Sequence, residues 1–265
     1  MRIGKQDRPV TAICTSDADS ITVRGHDLCG QLIGKIDFTS YFWLLVTGVM
    51  PSAQQRFFAD AVLAAIAEHG LVPSVVAARM TYAAAPEAFQ GAVAAGLLGC
   101  GSVVLGSAEV TGRFLAACLA DQDANGGSAA EVAERGVRAL RAEKKAVPGL
   151  GHPQHSAGDP RALLLLELAE QRGAAGRHIE MLYAVRDAVP RVIGRALPIN
   201  VNGAIPAVML DVGFPLAALK GIALLARTAG LIGHLTEEAE TPIGFILSGK
   251  AAEAIRFEAD ACVSE

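Results

Sequence analysis

Apolar residues recur at three- and four-residue spacings through most of the chain, and strict alternation is confined to its beginning. Between Ala12 and Asp27 polar and apolar positions alternate, and Ile21-Thr-Val-Arg24 runs into Gly25, a pattern that predicts a short β-hairpin. Beyond it the period is helical. Ser40–Val46 stops near Gly48 and Pro51, Ser52 caps a helix over Ala53–His69 with Gly70 as its stop, and further helices are predicted over Ser74–Ala84 and Glu87–Leu98. Residues Gly101 to Gly112 look irregular. Helices over Arg113–Asp121 and Ala129–Lys145 then flank a turn at Asp123-Ala-Asn-Gly-Gly127, followed by amphipathic stretches at Arg161–Arg172 and His178–Asp187. The last apolar segments are Ile205–Val212, Pro215–Glu238 and a helix near Lys250–Glu258. The pattern implies a mainly α protein whose one sheet lies at the start, without a fixed-period repeat.

Composition agrees with dense helix packing. Of the 265 residues 52% are hydrophobic but only 5% aromatic, so the apolar content is Ala, Leu, Val and Ile. The longest apolar run, Ala92 to Leu105, is broken by Gly96, Gly99, Gly101 and Ser102, so no membrane span is expected. Met1-Arg-Ile-Gly-Lys-Gln-Asp7 carries no apolar core of a signal peptide, and a cytoplasmic location is expected. Cys14, Cys29, Cys100, Cys118 and Cys262 form no CxxC pair and read as small apolar fillers in a reducing compartment. A net charge of −4 with no basic stripe argues against a nucleic-acid partner.

Candidate chemistry gathers in Val147-Pro-Gly-Leu-Gly-His-Pro-Gln-His-Ser-Ala-Gly-Asp-Pro-Arg161. Gly149 and Gly151 remove side chains where a backbone must come close to something, and His152 and Arg161 supply a proton handler and an anion clamp. The six histidines have no spacing of a metal pair. His178, beside Arg177 and Glu180, reads as a solvated helix residue; His234 reads equally as a satisfied core histidine; His69, at a helix end, as a cap or a site residue. In Leu197-Pro-Ile-Asn-Val-Asn-Gly-Ala-Ile205 two amides precede a glycine, a pattern also common in ordinary turns. Arg227 is embedded in an apolar helix with no acid in the four residues before it. Its compensating anion must then be a distant carboxylate or a ligand.

Together these segments resemble the citrate synthase family, and more closely its short members described as citryl-CoA lyases. Ile21-Thr-Val-Arg-Gly-His-Asp-Leu28 resembles the family's N-terminal hairpin, and Phe42-Trp-Leu-Leu-Val-Thr-Gly-Val-Met-Pro51 its Leu-Leu-x-Gly-x-x-Pro element. Gly-Leu-Gly-His152 with Asp159-Pro-Arg161 downstream, and Arg227-Thr-Ala-Gly230, are the more specific matches. The resemblance implies that Val147, Gly149, Leu150, Gly151 and Asn200 bind coenzyme A. It implies that His152 hydrogen-bonds the oxaloacetate carbonyl or the citryl hydroxyl, that Arg161 and Arg227 clamp carboxylates, and that His69 is a further substrate histidine. The implied fold is a citrate synthase-like two-domain helical fold, with residues 1–108 and 214–265 as the large domain and 109–213 as a small domain hinged near Gly106 and Gly213. Coenzyme A enters as substrate or product, with no tightly bound cofactor and no metal. A homodimer or higher homo-oligomer is implied, and the small-residue faces of Gln90–Gly101 and Ala223–Gly233 would suit close helix contact.

The departures bear on the reaction. The family's Leu-His-Gly-Gly-Ala-Asn-Glu segment is here Val103-Val-Leu-Gly-Ser-Ala-Glu109, so Val104 or Leu105 stands where the enol-stabilising histidine would be. The family's aspartate base is Asn202, an amide that donates hydrogen bonds but does not titrate in this range. The arginine of an Arg-Pro-Arg segment is not evident near Thr241-Pro-Ile-Gly244. Loss of a general acid or base costs about 10²–10⁴ in rate, so citrate synthesis is expected to be poor. Cleavage of a 3-hydroxy polycarboxyl-CoA is less demanding, because removing the hydroxyl proton itself generates the enolate. Three functions are therefore expected in order: a carbon–carbon lyase acting with His152 and Asn202, an impaired member that binds CoA and polycarboxylates, and a condensing enzyme for a different 2-oxo acid.

Overall fold

The computed structural model describes residues 9–101, 106–151 and 158–258. His152, Val104, Leu105 and Cys262 lie outside the described residues. Strands β1 (Cys14–Ser16), β2 (Ile21–Val23) and β3 (His26–Asp27) form an antiparallel sheet in that order, pairing Cys14 with Val23 and Val23 with His26. A third strand joins the expected hairpin because Arg24 (φ 51°) and Gly25 (φ 83°) turn the chain in two residues, both left-handed as a tight hairpin turn requires.

Eleven α-helices follow among the described residues. Helix α1 (Phe38–Thr47) starts earlier than its periodicity because Asp37, not Ser40, is the cap, accepting from Ser40 N at 2.8 Å. Helix α2 (Ala53–Ala67) opens on a Ser52–Gln55 capping box and ends before Glu68, leaving His69 beyond the helix it was expected to close. Next come α3 (Pro73–Ala84) and α4 (Phe89–Leu98), then α5 (Ser107–Asn125), which corrects the largest misreading. Gly112 is not a helix breaker: a Cβ there would lie 2.5 Å from Leu219 and 3.3 Å from Pro206, so the glycine lets neighbouring elements close on the helix. Helix α6 (Ala129–Ala142) and α7 (Pro160–Gln171) match expectation within a few residues; α8 (Arg177–Ile193) runs on through Pro190. Helix α9 (Val201–Asp211) begins four residues before the expected Ile205, because Asn200 caps it. A 3₁₀ turn at Leu216–Ala218 leads into α10 (Leu219–Glu240), and α11 (Gly244–Ala254) precedes its predicted span. Its early start follows from Glu238, whose carboxylate accepts from Ile243 N at 2.9 Å and Gly244 N at 2.7 Å.

One continuous buried cluster runs from Trp43 and α2 through α5, α6, α7, α8 and α9 to Ala226 of α10, with a smaller one joining α3, α4 and α10. Against the expectation of no membrane span, the segment Leu216–Glu240 is long and apolar enough to cross a membrane by length and composition. Its Ile222, Ala223, Ala226, Leu231 and Leu235 are buried against the other helices. Two of the small residues on the faces suited to close helix contact, Gly96 and Gly230, are used inside the chain. A Cβ on Gly96 would lie 2.7 Å from Leu231, and one on Gly230 only 2.0 Å from Ala67 O. Cys14 and Cys29 are exposed, so only Cys100 and Cys118 of the described cysteines are core fillers.

Two buried acids tie the helices together. Arg79 of α3 donates to Glu238 of α10 at 2.6 Å, with side chains 3% and 1% exposed, and to Glu237 at 2.6 Å. Asp211, at the end of α9, accepts from Gly176 N (2.8 Å), His178 N (2.9 Å), Ile179 N (3.0 Å) and His178 Nδ1 (2.8 Å). His178 is therefore half of a helix-capping pair rather than a solvated residue. Burial pushes the Asp211 carboxyl up, but the bonds from His178, Ile179 and Gly176 outweigh it and hold the group below its ordinary 3.8.

Replacing Gly230 by Ala is expected to cost about 2–3 kcal/mol, because Ala67 O cannot yield without parting α2 from α10; urea unfolding reads this as a lower midpoint. Asp211→Asn is expected to lose about 2 kcal/mol at pH 7. A depressed carboxyl stabilises above its unfolded pKa and loses that contribution as pH falls through the folded value. The gap in urea midpoint between wild type and Asp211→Asn should therefore narrow as pH is lowered from 5 towards 3; a constant gap would remove the charge from the account.

Candidate active site

The N-termini of α7 and α9 meet on one carboxylate. Asp159 is fully buried. Its Oδ1 accepts from Arg161 N at 3.1 Å and Arg161 Nε at 3.0 Å, while Oδ2 accepts from Arg161 Nη2 at 2.9 Å and from Val201 N at 3.0 Å. One side chain thus caps α7, fixes the first turn of α9 and holds the Arg161 guanidinium by one edge. Burial raises its pKa, but Arg161 and Val201 N more than compensate and keep the carboxyl below its ordinary value. Arg161 keeps its side chain 22% exposed, with Nη1 off the Asp159 edge.

The glycine segment docks against the start of α9. Leu150 pairs with Ile199 in an isolated antiparallel bridge, Gly151 N donates to Pro198 O at 2.7 Å, and Asn200 N donates to Gly149 O at 3.0 Å. Asn200 also donates from Nδ2 to Gly151 O at 2.6 Å and accepts from Gly203 N at 3.2 Å. Gly149 has φ 80°, and a Cβ on it would stand 2.8 Å from Gly203 Cα; one on Gly203 would stand 2.5 Å from Gly149 O. What these glycines let come close is the first turn of α9. Val147 and Leu150 turn their side chains into the core, at 5% and 8% exposure. Asn202 lies partly buried in the turn so fixed. Helix α5 closes this end, with Thr111 3.2 Å or less from a Cβ on Gly149; one turn earlier, Ser107 Oγ is buried without a hydrogen-bond partner among the described residues.

The second group is built on α10 and the end of α2. Arg227 is 3% exposed, and its Nε and Nη1 have no hydrogen-bond partner among the described residues. Its nearest anion is Glu68 Oε2, 3.9 Å from Nη1. Burial lowers the Arg227 pKa and the positive charge of Arg161 adds to the effect, while Glu68 opposes it. Glu68 also takes His69 N at 2.7 Å and Gly70 N, and Nε2 of His234 stands 2.9 Å from it, within ion-pair reach but off hydrogen-bond alignment. Burial pushes the Glu68 carboxyl up; His234 and the two N–H groups reverse this and leave it lowered. Nδ1 of His234 faces Arg79 Nη1 at 3.2 Å. Arginine only donates, so Nδ1 accepts and the ring proton sits on Nε2, on the Glu68 side.

The sequence-predicted residues fall into these two groups. Arg161, Asn200, Asn202, Gly149 and Gly151 lie at the joined termini of α7 and α9, Arg227 and His69 lie on the α2–α10 side, and the electrostatic influence of Arg161 on Arg227 links the two. His152 directly follows Gly151 and is outside the described residues. Sequence reading missed Glu68, Asp159 as organiser and the Arg79–His234 contact. Glu68 carried a usable signal: a buried arginine needs a carboxylate, and Glu68 adjoins the histidine already singled out. Among the described residues no three His, Cys, Asp or Glu side chains converge as a metal site requires.

One guanidinium–carboxylate group thus sits at the joined N-termini of α7 and α9, and a second, with unpaired donors on Arg227, lies between α10 and the end of α2. No curated protein matches the chain. Among solved structures, the citryl-CoA lyase of Hydrogenobacter thermophilus is similar at 27% identity and TM-score 0.78, covering 97% of this chain and 93% of its own. The ATP citrate lyase of Methanothrix soehngenii, in complex with citrate and coenzyme A, shares the fold at 22% identity and TM-score 0.78; the chain spans 99% of itself but 44% of that enzyme. The citrate synthase of Thermotoga maritima follows at 17% identity and TM-score 0.66, with 86% of this chain and 58% of that one covered. The family model for the citrate synthase C-terminal domain matches residues 57–245, which takes in both halves of the site from Glu68 to Arg227, and the chain belongs to the citrate synthase family.

Proposed function

We propose that the protein is a carbon–carbon lyase that cleaves citryl-CoA or a related 3-hydroxy polycarboxyl-CoA into an acyl-CoA and a 2-oxo acid. The observation that carries this is Arg227, a buried guanidinium whose Nε and Nη1 lack hydrogen-bond partners among the described residues, within electrostatic reach of Arg161. An unpaired buried charge costs several kcal/mol, which a substrate carboxylate repays. Likeness to a citryl-CoA lyase over nearly the full length of both chains supports cleavage over synthesis.

In this mechanism a base, His152, takes the hydroxyl proton. The carbinol C–O becomes a carbonyl, the bond from that carbon to the thioester α-carbon breaks, and its electron pair forms the thioester enolate, which a proton then quenches. Asn202, Ser107 Oγ or a backbone N–H holds the thioester oxygen. Arg227 and Arg161 orient the carboxylates, His69 contacts the departing 2-oxo acid, and the backbone of Val147, Gly149, Leu150 and Gly151, with Asn200 nearby, lines the coenzyme A. Residues 109–213 close over 1–108 and 214–265, and the enzyme works in the cytoplasm as a homo-oligomer without a tightly bound cofactor. A second reading rests on Asn202 in place of a titratable base: a protein that binds CoA esters without turning them over.

Incubated with citryl-CoA and its relatives, the purified protein is expected to release acyl-CoA on chromatography, and His152→Ala to lower kcat by about 10²–10⁴. No acyl-CoA from any of them, with no effect of His152→Ala, sinks the lyase. A thioester at about 100 times its Kd should add about 2.7 kcal/mol to stability under either reading, so stabilisation without consumption selects the second. Arg227→Gln is expected to lower kcat/KM about 100-fold or more, as charge-assisted bonds of roughly 1.5–3 kcal/mol each are lost; an unchanged value would take Arg227 out of substrate binding.

A further inference from the structure

Both guanidiniums of the site already face a carboxylate of the chain. Asp159 holds Arg161 by Nε at 3.0 Å and Nη2 at 2.9 Å, and Glu68 stands 3.9 Å from Nη1 of Arg227. Glu68 is not loosely placed: His69 N, Gly70 N and His234 hold it there. Among the described residues, two guanidiniums and two helix N-termini of about half an elementary charge each face the two carboxylates, which leaves about one positive charge for a ligand. That sum matches one carboxylate. A citryl fragment brings two free carboxylates, and the second would enter beside Glu68.

We infer that Glu68 is a specificity-determining residue and that the preferred substrates are 3-hydroxyacyl-CoA esters with a single free carboxylate, borne on the carbinol carbon, as in malyl-CoA or citramalyl-CoA. This rests on the lyase reading above. Cleavage conserves atoms and electrons without a co-reactant: the hydroxyl proton leaves, the C–C bond breaks to give glyoxylate or pyruvate, and the acetyl-CoA enolate takes up a proton. Arg227 binds the one carboxylate through its unpaired Nε and Nη1, and Glu68 repels a second. His234, fixed by Arg79 at 3.2 Å, is the strut that keeps Glu68 in place.

The test compares kcat/KM for malyl-CoA, citramalyl-CoA and citryl-CoA in wild type and Glu68→Gln. The amide of that variant keeps an acceptor for His69 N and Gly70 N but removes the charge. Wild type is expected to favour one of the single-carboxylate esters over citryl-CoA at least tenfold. Glu68→Gln should cut that preference at least tenfold by improving use of citryl-CoA. Thermal-shift titrations with pyruvate, glyoxylate and oxaloacetate give the same comparison without turnover. If no thioester is cleaved, the lyase reading fails while these titrations still decide the charge rule. A wild type that prefers citryl-CoA or oxaloacetate, or a folded Glu68→Gln with unchanged preference, overturns the proposal.

Discussion

The site depends on the shared carboxylate of Asp159. A helix N-terminus leaves unpaired N–H groups, and two such ends brought together repel through like partial charges. Asp159 answers both at once, capping α7 through Arg161 N and fixing α9 through Val201 N. Because the same group holds the Arg161 guanidinium, the positions of Arg161 and Asn202 are set by one anchor. The glycine segment then docks on the turn so fixed, through Asn200 and the Gly149–Gly203 contact.

The α2–α10 half is organised by a different rule. Arg79 is compensated twice within the chain, whereas Arg227 is left with unpaired donors although it is equally buried. The contrast separates a structural arginine from a receptive one. In Arg79 the pairing with Glu238 closes α3 onto α10 and helps to start α11, and the same guanidinium orients His234. Structural and receptive charges therefore touch along one line, Glu238, Arg79, His234, Glu68 and Arg227.

Much of the fold was legible because helical periodicity and caps are local. The Ser52 cap and the early sheet needed no knowledge of the rest of the chain. Two misreadings share a cause: Gly112 and Pro190 are breakers by propensity, yet each sits inside a helix that tertiary packing sustains. In the site, Arg227 was legible as a charge in need of a partner, and Arg161 as a cation beside Asp-Pro. Glu68 was marked only by adjoining His69, because the charge it answers is brought to it by a distant helix. The family's proton-transfer positions could be compared in sequence, and the replacement Asn202 now stands in a rigid first turn, with neighbours Val201 and Gly203 both tied down.

The mutual approach of Gly149 and Gly203 separates two kinds of inheritance. Each lacks a side chain because the other's backbone occupies the space, so the pair would be kept by any descendant that folds this way, whether or not it still performs chemistry. A glycine signature in this segment is therefore a record of architecture. Descent of activity has to be traced through the residues that folding leaves free to vary.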